Sequence, residues 1–254
     1  MVGSLFTVVA FLVGQASPTS KPVVDRSGEG VLRQMLVDLE ARKQFHALIL
    51  RSTRGATDQI FYQDGTIEVW RSGDRLRMDF EEMWGGSLRI IRNSKKLMED
   101  TGYDPVILRQ SGKSLTQDCP VLEESGNALS PWLILLEGPK LLDRMDKDRS
   151  IVKGKSDNSV IWSTKIFGNL TISKEHSKDG LETWELEYDN VDYQADMFKQ
   201  FPEWYEAPNE NARWRQKVIL VPTSQFPRGL FQFNPGRGRE VTDLTNKVKK
   251  PPKI

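Results

Sequence analysis

Residues 66–81 read TIEVWRSGDRLRMDFE, and this stretch decides the fold. Ile67 and Val69 alternate with Thr66, Glu68 and Trp70, while Leu76, Met78 and Phe80 alternate with Arg75, Arg77, Asp79 and Glu81. A period of two sends successive side chains to opposite faces of a strand. Ser72-Gly73-Asp74 supplies a tight turn between the two runs. The stretch therefore predicts an antiparallel hairpin with one apolar face.

The same pattern extends in both directions. Upstream, Phe45, Ala47 and Ile49 alternate with His46, Leu48 and Leu50, Ile60 and Tyr62 form a short run, and Asp64-Gly65 reads as a hairpin turn. Downstream, Gly85-Gly86 breaks the chain, Leu88 and Ile90 follow, and Asn93-Ser94 precedes Leu97. Tyr103 to Gln110 is a further candidate strand. Short strands joined by tight turns predict an antiparallel meander. Before it, Val31, Leu32, Met35, Leu36 and Leu39 paint one face of a helix over Gly28 to Lys43. After it, Trp132, Leu133, Leu135, Leu136, Leu141, Leu142 and Met145 have helical spacing, with Ser130 as a cap and Pro131 in the first turn. Gly138-Pro139 divides that helix into two short pieces. Strands resume at 150–155, 159–167, 169–175 and 181–189, with Lys178-Asp179-Gly180 as a turn, and Trp214 to Val221 is the last.

The order is helix, meander, helical insertion, second meander. The simplest solution is an α+β domain: one twisted antiparallel sheet with a few helices against one face. The inner face would carry Phe45, Ile49, Ile67, Val69, Leu76, Met78, Phe80, Leu88 and Ile90. The two helical segments are its obvious cover.

The ends differ from the middle. Leu5 to Val13 is an apolar run followed by Gly14-Gln15-Ala16, the pattern of a secretory signal cleaved after residue 16. The run is too short for a membrane span, which needs roughly 20 residues. No cysteine follows it to carry a lipid anchor. The expected organisation is a signal peptide over 1–16, a linker over 17–27, a domain over 28–233 and a disordered polar, basic tail over 234–254. The expected location is periplasmic or secreted.

Composition excludes several classes. The 254 residues carry a formal net charge of +1, which gives no long-range attraction to nucleic acid. The single cysteine, Cys119, forms no internal disulfide, and the two histidines, His46 and His176, preclude a His-rich metal site. No HExxH and no GxSxG occurs. Adjacent Glu81 and Glu82 point to opposite faces of a strand. Asp143, Asp146 and Asp148 are interspersed with Arg144, Lys147 and Arg149, as on a solvated face. Gly236-Arg237-Gly238-Arg239 is a single copy of an RNA-tail-like motif. Asn169-Leu170-Thr171 is a glycosylation sequon of a kind that arises by chance. Large aromatics such as the seven tryptophans are more often core than ligand-binding. The reading is a protein that is not an enzyme, with no cofactor and no metal.

The order of elements resembles the LolA-type outer-membrane lipoprotein carriers. The resemblance rests on Phe45-His46-Ala47 after the first helix, on the strand pair Gly65 to Trp70 and Arg75 to Phe80, on Ile90 to Leu97 with Tyr103-Asp104-Pro105, and on Ser130 to Leu136. Asp192-Tyr193 to Phe198 and Phe201-Pro202 is similar to the ending of related sorting proteins. The resemblance implies an unclosed antiparallel β-barrel, with helices packed across its concave face as a lid and an apolar cavity for acyl chains. The slot of the family's lid-holding arginine falls on Gly73, so no arginine is carried over. The implied ligand is a lipid or the acyl chains of a lipoprotein, held by Phe45, Ile49, Ile67, Val69, Leu76, Met78, Phe80, Leu88, Ile90, Trp132, Leu133 and Leu136. The implied partners are membrane-bound donor and acceptor proteins, and the carrier is expected to be a monomer that binds no nucleic acid. The competing expectation is an exported protein-binding or envelope structural module with the same fold and a filled cavity.

Overall fold

Helix α1 (Glu29–Glu40) buries Leu32, Met35, Leu36 and Leu39 and leaves its charged side to solvent, as an apolar stripe at helical spacing requires. The computed structural model describes residues 27–54, 60–82, 87–112, 131–144, 150–164, 168–188, 213–223 and 225–245. The expected signal peptide, most of the linker, Cys119, Ser130, Met145, Asp146, Asp148 and the stretch 189–212 lie outside the described residues.

The first meander consists of β1 (Gln44–Arg54), β2 (Tyr62–Ser72), β3 (Arg75–Glu82), β4 (Ser87–Asn93), β5 (Lys96–Asp100) and β6 (Val106–Gln110). Two short helices follow, α2 (Leu133–Glu137) and α3 (Pro139–Arg144), separated by Gly138 at φ +64°. The N-cap of α2 is Trp132, without a side-chain cap. The second meander is β7 (Ser150–Lys153), β8 (Ser159–Thr164), β9 (Gly168–His176), β10 (Glu182–Tyr188) and β11 (Arg213–Val221), and β12 (Val241–Asp243) closes the series.

All twelve strands form one sheet in the order β12-β6-β5-β4-β3-β2-β1-β11-β10-β9-β8-β7. The sheet is strongly curved and not closed: β12 and β7 are its two edges. Pairing of β1 with β11, from His46↔Val221 to Arg54↔Arg213, joins the two meanders. Neighbours are antiparallel except β12, which runs parallel to β6.

Two expectations are corrected. Asp64-Gly65 is not a hairpin turn but lies inside β2. Across from it the register slips, Arg51 facing Gly65 and Ser52 facing Gln63, so Asp64 is the extra residue of a bulge. A glycine within a strand tolerates that irregularity as readily as a turn does. The tail expected to be disordered from Asn234 is ordered through Thr245. Val106 N–H donates to Glu240 O and Leu244 N–H to Leu108 O, so β12 satisfies the exposed edge of β6. Arg239 fastens this strand by donating to Asp100 and to the Gly102 and Asp104 carbonyls. Just before it, Phe233 packs on Ile91, Met98, Val106 and Leu108, a second apolar cluster. Polar composition predicted disorder; an unpaired sheet edge and one arginine fork supply the order.

Candidate ligand-binding face

Every residue assigned to the ligand face belongs to or packs against a single apolar cluster. Register explains the grouping. Residues directly opposite in antiparallel strands point to the same face, and Ile49↔Ile67↔Phe80↔Leu88 make one rung across β1–β4. Ala47↔Val69↔Met78↔Ile90 make the next. Trp132 and Leu133 join them from the helical insertion, the Trp132 ring lying 6.1 Å from that of Phe80. Within the twelve, Phe80, Leu88 and Leu136 are half-buried, while the others are buried. Phe80 and Leu88, directly opposite each other on β3 and β4, mark a half-buried end of the strands.

The apolar face continues where sequence reasoning assigned no ligand contact. Ile151, Val160, Trp162, Ile172, Trp184, Leu186 and Val218 carry it across β7–β11 in the same cluster. The alternation within each strand was legible, but only the β1–β11 pairing makes the two faces continuous. Gln216 of β11 accepts from Trp132 N–H and donates to the Tyr188 hydroxyl, so it fastens the start of α2 to the sheet. The indole N–H groups of Trp132 and Trp162 are buried and meet no acceptor among the described residues, a costly state for a donor.

Arg71 is the second missed residue. It follows Ile67 and Val69 in the inward register, and its side chain is buried. Its guanidinium lies 4.3 Å from the centre of the Phe45 ring and donates to Leu39 O at 3.0 Å and Arg42 O at 3.3 Å. These are carbonyls at the C-terminal end of α1 and just beyond it, where a cation is favoured. Burial lowers its pKa to about 10, so it stays charged at neutral pH. A charged residue breaking an alternating apolar series was the available signal.

The far side of the α1 C-terminus is held by Glu182. Its carboxylate accepts from Arg42 at 2.5 Å and from Trp184 Nε1 at 2.9 Å, with Lys174 at 3.5 Å and His176 at 3.8 Å. Burial opposes its charge, but Trp184, Arg42 and Lys174 together hold its pKa below the ordinary 4.5. A depressed carboxylate stabilises the fold above its unfolded pKa, and that stability disappears as pH falls through the folded value. Glu182→Gln is therefore expected to melt below the parent at neutral pH, with the gap closing below pH 4.5. A gap that stays constant in melts from pH 7 to 3 would sink this assignment.

The residues weighed for catalysis are dispersed. His46 stacks on Trp70 at 5.2 Å and meets Glu68 at 2.7 Å, and His176 is on the other arm of the sheet. Asp143 pairs with Arg33 of α1. Among the described residues no group of three or more His, Cys, Asp or Glu side chains could hold a metal ion. A polar cleft of about 500 Å³ lies on the opposite face of the sheet, between Gln44, Ser72, Arg75, Asn93 and the segment 225–232. None of the twelve assigned residues lines it.

No protein-family model matches the chain, and no curated protein matches it. Among solved structures it is similar to a DUF1329 family protein from Desulfovibrio piger, at 8% identity and a TM-score of 0.34, over 82% of this chain and 98% of that one. A likeness of that size carries no functional argument. No helix among the described residues is long and apolar enough to cross a membrane.

Proposed function

We propose that this protein is an exported, non-enzymatic carrier or chaperone in the manner of the LolA-type carriers, which shelters a lipid or the acyl chains of a lipoprotein between its curved sheet and its helices. The observation that supports this reading is where the two ends of α1 are bonded. Its start is bonded to β7 through Gly28 N–H and Ile151 O, and its end to β2 through Arg71. Those strands are six steps apart in the sheet, an arc of roughly 29 Å at about 4.8 Å per step. A helix of 12 residues rises only about 18 Å. On this reading the helix is a chord across the concave apolar surface, held by polar bonds at its two ends. The buried indole N–H groups of Trp132 and Trp162 support the reading, because an ester or carboxyl oxygen of a ligand would satisfy them.

A second reading is a protein-binding or envelope structural module with a filled interior. It is favoured by the near-complete burial of the cluster and by the position of the polar cleft on the other face. One titration separates the two. An apolar fluorescent probe is added to the purified full chain and then displaced with an acylated peptide. The carrier reading expects saturable binding at about one site, weakened about tenfold or more by Leu136→Asp, since the half-buried Leu136 would then set a charge against the apolar chain. No binding by a folded protein would leave the structural module.

A further inference from the structure

The apolar face is not uniform along its strands. Two rungs contain mainly aliphatic and aromatic side chains, but the rung next to the hairpin turns reads Phe45↔Arg71↔Leu76↔Arg92↔Leu97↔Arg109 across β1–β6. Arginine alternates with an apolar residue, and every side chain of the rung shares one face. Leu76 and Leu97 within it are fully buried. The neighbouring rung contributes one carboxylate, Glu99, which lies 3.8 Å from Arg109. Glu40 offsets part of the charge at Arg71, whereas Arg92 and Arg42 add to it. Three guanidiniums thus share the rung, with the carboxylates of Glu99 and Glu40 near two of them. The Phe80–Leu88 rung, at the half-buried end, lies four residues along the strand, about 14 Å away.

We propose that Arg71, Arg92 and Arg109 bind the acidic head group of an amphiphilic ligand whose chain runs along the strands towards Phe80 and Leu88. This rests on the carrier reading and adds to it the chemical class of the ligand: an acyl chain ending in a carboxylate or phosphate. Guanidiniums suit such heads because their planar forks present paired donors to paired oxygens. The position also suits them. The rung is one residue from the turn at Gly73-Asp74 and one from that at Ser94-Lys95, and Arg92 and Arg109 are half-buried, so the head group can meet them at the margin of the face. Amphipathic ligands divide their surface in this way.

The test is competition for the apolar probe on the purified full chain by three amphiphiles of equal chain length: a fatty acid, a lysophosphatidic acid and a fatty alcohol. The proposal expects at least one acid to bind about tenfold or more tightly than the alcohol, and the acid that does so identifies the head. Arg92→Gln with Arg109→Gln is expected to remove the preference, and the paired lysine variants to keep most of it. If all three bind the parent equally, the head-group site is overturned and the carrier reading stands. If none binds, the carrier reading falls and this inference with it. Because the parent's own preference decides the matter, a glutamine variant that fails to fold does not shield the proposal.

Discussion

Trp184→Ala is expected to cost about 3–5 kcal/mol of folding stability, the range for removing a fully buried large aromatic. Trp184 is 0% exposed in the middle of β10, opposite Val218 of β11 and Lys174 of β9. Two losses coincide there. The ring leaves a cavity in the face shared by both meanders, and its N–H no longer satisfies Glu182, which is itself buried. Trp184→Phe separates them: it retains most of the volume and removes the donor, so about 1–2 kcal/mol is expected from that variant. Urea midpoints read both. A cost under about 1 kcal/mol for alanine would mean that β10 is not a wall of the core.

The second large effect is at Gly28. A Cβ built on this residue would sit 2.4 Å from Val152 O and 2.5 Å from Val152 C. Both are backbone atoms of β7, an edge strand held by its ladder to β8. The same residue donates its N–H to Ile151 O at 2.8 Å. Gly28→Val must therefore lift the start of α1 from the sheet, weakening the burial of Leu32 and Met35 in the first turns. Overpacking of this kind costs about 1–3 kcal/mol and occasionally more. Because α1 is short and held at both ends, amide exchange across residues 29–40 should accelerate in the variant while β1–β5 remain protected. Uniform protection, with an unchanged melting point, would show that α1 does not depend on that contact. Gly30, two residues on, has nothing near its Cβ position, so Gly30→Ala is the matched control and should be neutral or slightly stabilising.

How much was legible can be judged from particular residues. The turn at Gly73 and the alternation of Leu76, Met78 and Phe80 are local properties, and they appear as expected. So do the amphipathic α1 and the break at Gly138-Pro139. Asp64-Gly65 was misread because a bulge and a turn make similar local demands, and only the partner strand distinguishes them. The strand at Val241–Asp243 was missed because its three residues have no pattern of their own; they are ordered by an edge more than 130 residues earlier in the chain. The twelve assigned residues belong to or pack against one apolar cluster. Their continuation through Ile172, Trp184 and Val218 was not seen, since it depends on β1 meeting β11.

The sequence by itself determined which residues turn inward along each strand and along α1, because alternation and helical spacing are set by backbone geometry within a few residues. It also determined that one face must be covered, because so many apolar side chains share it. Only the tertiary structure decided what the face is part of. Strand order places Arg71, Arg92 and Arg109 on one rung, Glu182 beside Arg42, and Gly28 against β7. Such contacts join segments tens to more than a hundred residues apart, and their formation depends on how the whole sheet curves rather than on any local preference.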